Sequence, residues 1–393
     1  MIRSSDDNRW GHMAQNKDIV DWLLTRARGV SDLGAMLEGL SHLLRDQGFP
    51  LDRATVGAPL LHPIAQSSFC LWDPQNGVRR NFLVWDDSGL EKLRNSPMYA
   101  IYSEGRDADW RLDCEAAVQR YSVGPELYHA GFTHYLALAL PFSDGSHKAF
   151  TVQTRTEGGF TDDQVVRLKA CVPAIAAAVE HHVQRALAET LMNTFVGERA
   201  GKRVLDGQVH RGDGEMIEAV IWMSDLRGFT RFAAERAPQD LLDAINQYFE
   251  LVTEAITAQG GEVLKFIGDA VLGIFPVAGG GSDPIQAAET AAFAVVDAKQ
   301  DPDWPRGLDL GIGLHKGEVF YGNVGGRTRL DFTVIGQSVN LVSRVEALCR
   351  DFERPVLVTG AVARASHRSY EALGERRLKG FDHPVPIFAP SEL

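Results

Sequence analysis

Residues 219–230 read AVIWMSDLRGFT, and residues 262–276 read EVLKFIGDAVLGIFP. In the first stretch an apolar run ends on Asp225 and passes into a turn holding Gly228, so a strand is expected to deliver a carboxylate beside backbone amides that can face phosphate oxygens. In the second, two apolar halves flank Gly268 and Asp269, the pattern of a hairpin with an acid at its tip. Each feature alone is ordinary turn chemistry. Together they set hard oxygen ligands on strand ends beside amides, which suits Mg²⁺ or Mn²⁺ bridging a nucleoside triphosphate.

Outward from these stretches the pattern is mixed. A helix is expected over Gln239 to Gln259, a hairpin over Gly261 to Phe275, a Gly-rich loop at AGGGSDP, a helix over Pro284 to Ala298, a strand over Leu308 to Leu314, and further strand, helix and strand pieces beyond. Upstream, residues 197–215, GERAGKRVLDGQVHRGDGE, read as a connector rich in Gly and charge. Before it, Thr161 is placed to cap a long helix running toward Phe195. Leu168, Val172, Ile175 and Val179 fit two arrangements of that helix, a parallel dimer stalk or one amphipathic helix packed on its own domain, and Pro173 bends either. Earlier still, strand candidates at Phe69 to Trp72, Phe82 to Trp85, Tyr135 to Pro141 and Ala149 to Gln153 alternate with the turns DPQNG, DDSG and SDGS. They follow helical spacing from Ile19 to Leu43. The division expected is a flexible segment 1–15, an α+β domain 16–180, a helical linker 181–215 and a second α+β domain 216–393.

Composition narrows the function. Lys and Arg number 40 against 52 Asp and Glu, a net charge of −12 that disfavours nucleic acid and anionic membranes as partners. No apolar run reaches the roughly 18 residues of a membrane span. Cys70, Cys114, Cys171 and Cys349 form no CxxC pair, which argues against a zinc site or a disulfide framework and fits a reducing cytoplasm. His315 has no partner spacing and is assigned a structural role, while for Trp85, Trp110, Tyr128 and Tyr135 core packing is expected ahead of the alternative, the lining of a ligand pocket.

WMSDLRGFT, GGEVLKFIGDAVLGIFP, GIGLHKGEVFYGNVGG, DFTVIGQSVNLVSRVE and RRLKGF, in that order, resemble the catalytic domain of class III nucleotide cyclases, over about Ala219 to Phe388. The resemblance implies a ferredoxin-like βαββαβ core. It also implies conversion of a nucleoside triphosphate to its 3′,5′-cyclic monophosphate and pyrophosphate. Asp225 and Asp269 match the family's metal-binding aspartates, implying two Mg²⁺ or Mn²⁺ ions per site. Leu226, Arg227, Gly228, Phe229 and Thr230 match the phosphate-binding turn and Lys379 the lysine that contacts the triphosphate. Asn340 matches the residue that orients the ribose, and Arg344 the one that offsets charge at the α-phosphate. Four residues apart, these two share a helix face.

Lys265 and Thr333 fall where that family selects its base. Adenine offers an N1 acceptor to a Lys donor and a 6-amino donor to a hydroxyl, whereas guanine reverses both, so the pair implies ATP as substrate and an adenylate cyclase, with guanylate cyclase as the alternative. A catalytically silent nucleotide-binding module is a further alternative, against which all the metal and transition-state positions are filled. Gln337 departs from the Asp common at its position. The family arrangement implies a homodimer with Asp225 and Asp269 from one subunit and Lys265, Thr333, Asn340 and Arg344 from the other. In the first domain, AGFTHYLALALPF, a turn, AFTVQTRTEGGFTDDQVVRLKACVPAIAAAVE resembles the end of a GAF domain, which implies a regulatory sensor for a small molecule or other signal.

Overall fold

The computed structural model describes residues 16–59, 67–83, 93–277, 283–300, 304–305 and 307–392. The expected flexible segment 1–15, Trp85, the DDSG turn and most of AGGGSDP lie outside these residues. The chain divides into two compact units, Met1–Leu191 and Met192–Leu393.

In the first unit, helices α1 (Lys17–Leu24) and α2 (Leu33–Asp46) precede strands β1 (Arg53–Pro59), β2 (Ser67–Asp73) and β3 (Gly77–Leu83). Three short helices, α3 (Tyr99–Glu104), α4 (Glu115–Val118) and α5 (Gly124–His129), surround β4 (Ala108–Arg111), and β5 (His134–Pro141) and β6 (His147–Thr154) lead into helix α6 (Asp162–Val196). The six strands form one sheet in the order β3-β2-β1-β6-β5-β4. Alternation sorts β5: Leu136, Leu138 and Leu140 join a core with Ile19, Leu37 and Leu40, while Tyr135 and Ala137 join Ile101, Trp110 and Phe132 in a second core on the other face. Both faces are covered, which is why β5 reads as an unbroken apolar run. Strand β4 escaped the sequence reading because it has only four residues, and β1 because Gly57 and Pro59 interrupt its pattern.

Thr161 caps α6 as expected. The Gln164 amide donates to its Oγ1 at 3.2 Å while the Thr161 amide donates to Gln164 Oε1 at 3.0 Å, a reciprocal capping box. Leu168, Ile175 and Val179 of α6 are buried in the first unit's own core with Val172 packed against it, so the apolar spacing serves intradomain packing rather than a stalk. Pro173 lies inside the helix.

The second unit opens with helix α7 (Glu198–Leu205), whose Ala200 is fully buried, so the expected connector is partly a packed helix. Then come β7 (Gly214–Arg227), α8 (Phe229–Glu235), α9 (Pro238–Ala258), the hairpin β8 (Glu262–Ile267) and β9 (Ala270–Pro276), α10 (Pro284–Ala298), β10 (Asp309–Gly325) and β11 (Leu330–Ile335). Helix α11 (Gln337–Ala347), β12 (Val356–Thr359), α12 (Gly360–Ala363), β13 (Tyr370–Arg376) and β14 (Val385–Pro390) complete it. Strand β7 starts at Gly214, ahead of the expected Ala219, because it pairs antiparallel with β10 from Gly214↔Gly322 to Arg227↔Asp309. The neighbours run β13-β14-β12-β10-β7-β9-β8, so β7, β8, β9 and β10 with their helices have the βαββαβ order and antiparallel pairing of a ferredoxin-like core. Val220, Trp222, Leu310 and Ile312 face Tyr248 and Val252 of α9 and Ala288 of α10. Ala219, Ile221 and Met223 face the opposite way, against Val334 and Val342.

Candidate active site

The strand period positions Asp225. Ser224 points toward α9 and is fully buried, so the next residue must point to the opposite face of the sheet. There Asp225 pairs across strands with Gly311 of β10. On its other side Ser224 pairs with Val271 of β9, which brings the β8–β9 turn and Asp269 alongside. Gly268 supplies the turn with φ of 66°.

The two carboxyl groups act on one another. Burial first, then the charge of Asp269 and a hydrogen bond shared with it, push the Asp225 carboxyl up to about 6. Asp225 Oδ1 is buried and has no hydrogen-bond partner. Two like charges and an orphaned oxygen in one place make a cation-shaped deficit, so these residues fit a divalent metal. Among the described residues no cluster of three His, Cys, Asp or Glu side chains could hold one by itself. Any ion here would complete its shell with other oxygens, from backbone carbonyls, solvent or phosphate.

After Arg227 the chain turns on Gly228, whose φ of 84° would strain any side chain and whose built β-carbon would come within 3.1 Å of the Gly307 carbonyl. Arg227 donates to the Arg354 carbonyl at 2.7 Å and lies 3.9 Å from Asp309, so it braces the turn against the rest of the sheet. Thr230 is exposed in the first turn of α8.

Lys265 and Thr333, the residues expected to select the base, lie on β8 and β11. A register shift between Val263 and Lys265 re-aims the lysine, while Phe266, which points the other way, stacks on Phe249 of α9 with ring centroids 4.2 Å apart. Lys265 Nζ lies 2.6 Å from Asp331 Oδ2, and Thr333, two residues further along β11, is buried. Asn340 and Arg344 are both exposed, one turn apart on α11, and Lys379 is exposed between β13 and β14.

Sequence reasoning passed over two acids. Glu346 of α11 sits over Gly311, its Oε1 2.6 Å from a built Gly311 β-carbon, and burial and then the Asp225 charge push its carboxyl up to about 7. Asp331 is the other. Both lie inside the quoted DFTVIGQSVNLVSRVE, but only three-dimensional pairing tells them from solvated charges. His315 has the structural role expected: its Nδ1 is 2.8 Å from Thr359 Oγ1, and burial lowers its pKa to about 4. Cys70, Cys171 and Cys349 are buried and Cys114 is exposed, all as free thiols. Among the described residues no helix is long and apolar enough to cross a membrane.

The sequence family described as adenylate and guanylate cyclase catalytic domain matches residues 214–386. An adenylate cyclase of Anabaena cylindrica is 33% identical over 180 residues, 44% of this chain and 35% of that protein. The terminal-differentiation-specific adenylate cyclase of Dictyostelium discoideum is 32% identical over 158 residues, 38% of this chain and 7% of that protein. The match thus spans well under half the length of these curated relatives. Among solved structures, the adenylyl cyclase CyaB from P. aeruginosa is similar at 26% identity and a TM-score of 0.39, over 44% of this chain and 94% of that one. The sheet order, the facing aspartates and the sequence match coincide on the same residues, 214–386, which match the adenylate and guanylate cyclase catalytic domain family.

Proposed function

We propose that the chain is an adenylate cyclase, converting ATP to 3′,5′-cyclic AMP and pyrophosphate at sites shared between two copies, under control of its N-terminal unit. The observation that carries this reading is the facing pair Asp225 and Asp269, with its orphaned oxygen, beside the Gly228 turn. Asp225 and Asp269 would hold Mg²⁺ or Mn²⁺, which supplies Lewis acidity toward the ribose 3′-hydroxyl and charge neutralisation at the triphosphate. The turn from Leu226 to Thr230 receives phosphate oxygens on its backbone amides. Lys265 donates to adenine N1 and Thr333 accepts from the 6-amino group. Asn340 orients the ribose so that its 3′-oxygen stands in line with the α-phosphorus, and Arg344 and Lys379 offset the charge that grows as pyrophosphate leaves.

The homodimer is supported by where these residues point. Asn340, Arg344 and Lys379 are exposed. Phe266, Ile267 and Ile335, on the strands that carry Lys265 and Thr333, are about half exposed. Large apolar side chains left exposed on these two strands favour a covering partner. The GAF-like reading of the first unit is supported by the succession β5, turn, β6, loop, α6, the order in the quoted sequence. Its stimulus would reach the second unit through α6 and α7.

The test is product formation by the full chain with ATP or GTP and Mg²⁺ or Mn²⁺, alongside Asp269→Ala. Cyclic AMP from ATP, abolished by the substitution, is the expected result. Cyclic GMP as the main product would transfer the reading to guanylate cyclase. Absence of both products together with absence of nucleotide binding would overturn it.

A further inference from the structure

The ion pair between Lys265 and Asp331 contributes little as a stabilising contact. The lysine side chain is 34% exposed and the aspartate 50%, a setting in which an ion pair is worth about 0–1 kcal/mol. It does fix where the lysine can point. Asp331 Oδ2 takes one of three Nζ protons at 2.6 Å, and the other two are left to a ligand. Asp331 and Thr333 are two apart on β11, paired with Val324 and Gly322 of β10, so the strand period gives them the same side. The hydrogen bond from Lys265, and then its charge, hold the Asp331 carboxyl below the ordinary range, so it stays an anion and a pure acceptor. Arg329 is a further cation near Asp331.

Resting on the reading of this site as a purine nucleotide cyclase, we propose that Asp331 is a positioning residue for base choice: it orients the Lys265 ammonium and sets a negative charge beside the base edge, favouring adenine over guanine. An anion beside the 6-position tolerates the 6-amino donor of adenine. It opposes the O6 acceptor of guanine, and an Asn side chain, with two N–H donors of its own, removes that opposition.

The experiment compares wild type, Asp331→Asn and Asp331→Glu in the full chain. It measures kcat/KM for ATP and GTP, and binding of 3′-deoxy-ATP and 3′-deoxy-GTP by calorimetry, which reads preference without turnover. Asp331→Asn is expected to lower the ATP-to-GTP ratio by about 10-fold or more, about 1.4 kcal/mol of discrimination. Asp331→Glu, which keeps the anion, is expected to retain the ratio within about 3-fold, about 0.65 kcal/mol. An Asn variant that lowers both nucleotides equally, or raises both by freeing the lysine, would leave the ratio unmoved and overturn the proposal while the cyclase reading stands. Wild type that neither cyclises nor binds either purine nucleotide would sink both.

Discussion

Tyr248 of α9 donates its phenolic proton to Ser224 Oγ at 2.7 Å, and Trp222 Nε1 donates to the same oxygen at 3.0 Å. All three residues are essentially inaccessible to solvent. Ser224 immediately precedes Asp225, so the helix on one face of the sheet is tied to the strand that presents the Asp225 carboxyl on the other. Burial pushes the Tyr248 hydroxyl well above its ordinary range, which keeps it a donor throughout the physiological range.

Tyr248→Phe removes one donor and leaves Ser224 satisfied by Trp222, so it should cost about 1 kcal/mol. Ser224→Ala strands two buried donors at once and should cost about 2–4 kcal/mol, at about 1–2 per orphaned group. Urea unfolding of the two variants checks the order. Equal costs would mean that the shared oxygen is not what holds the pair.

Gly311 and Gly313 admit α11 against the sheet. A built β-carbon on Gly311 meets Glu346 Oε1 at 2.6 Å and Cys349 Cβ at 3.1 Å, whereas on Gly313 it meets the Glu346 amide nitrogen at 2.8 Å and the Val342 carbonyl at 2.9 Å. A side chain can swing aside, but a helix backbone has to move as a body. Gly313→Ala should therefore be the worse change, at or beyond the upper end of the 1–3 kcal/mol typical of overpacking, with Gly311→Ala toward the lower end. Because α11 carries Asn340 and Arg344, Gly313→Ala should also lower kcat more than KM. Thermal melts and steady-state kinetics on the two variants decide it.

How much of this was legible beforehand follows from the range of each interaction. Helix α10 was expected over Pro284 to Ala298 and lies there, because Pro at its start and an unbroken apolar periodicity are local signals. Asp225 and Asp269 were singled out together, but their mutual effect on protonation arises from β7 pairing with β9, a contact between strands far apart in sequence. Glu346 and Asp331 were missed for the same reason: an acid on a helix or an edge strand is a solvated charge until the fold supplies its neighbour. Strand β10 was expected only to Leu314 yet runs to Gly325, since Lys316 and Gly317 break the apolar pattern while their backbones continue to pair with Val220 and Ala219.

His315 gives the second unit a defined response to acid. Its folded pKa of about 4 lies below the ordinary 6.5, so the unfolded chain takes up the proton first as pH falls. The stabilisation is complete above about pH 6.5 and is lost progressively between there and about pH 4. At pH 5 the loss should be on the order of 1–2 kcal/mol. His315→Gln, which retains a partner for Thr359 but cannot titrate, should flatten the stability difference between pH 7.5 and pH 5. Denaturant unfolding at both pH values checks this, and an unchanged difference would assign the acid response to other groups.

The sharpest prediction concerns division of labour between copies. If the metal pair and the transition-state residues meet only across an interface, Asp225→Asn and Arg344→Ala should each abolish activity alone. Mixed in equal amounts under conditions that allow exchange, half of the dimers pair one variant with the other. In such a dimer one site combines both lesions and the other combines Asp225 and Asp269 of the Arg344→Ala copy with Lys265, Asn340 and Arg344 of the Asp225→Asn copy. One site in two is then intact in half of the dimers, so activity should return to about a quarter of wild type. A site built within one chain recovers nothing on mixing, because every copy then carries a lesion in its own site. Double variants Asp225→Asn/Arg344→Ala mixed with wild type provide the calibration: their mixed dimers join an intact half to a doubly damaged one, each site in them lacks one required group, and equal mixing should likewise leave about a quarter of wild-type activity, all of it from wild-type dimers.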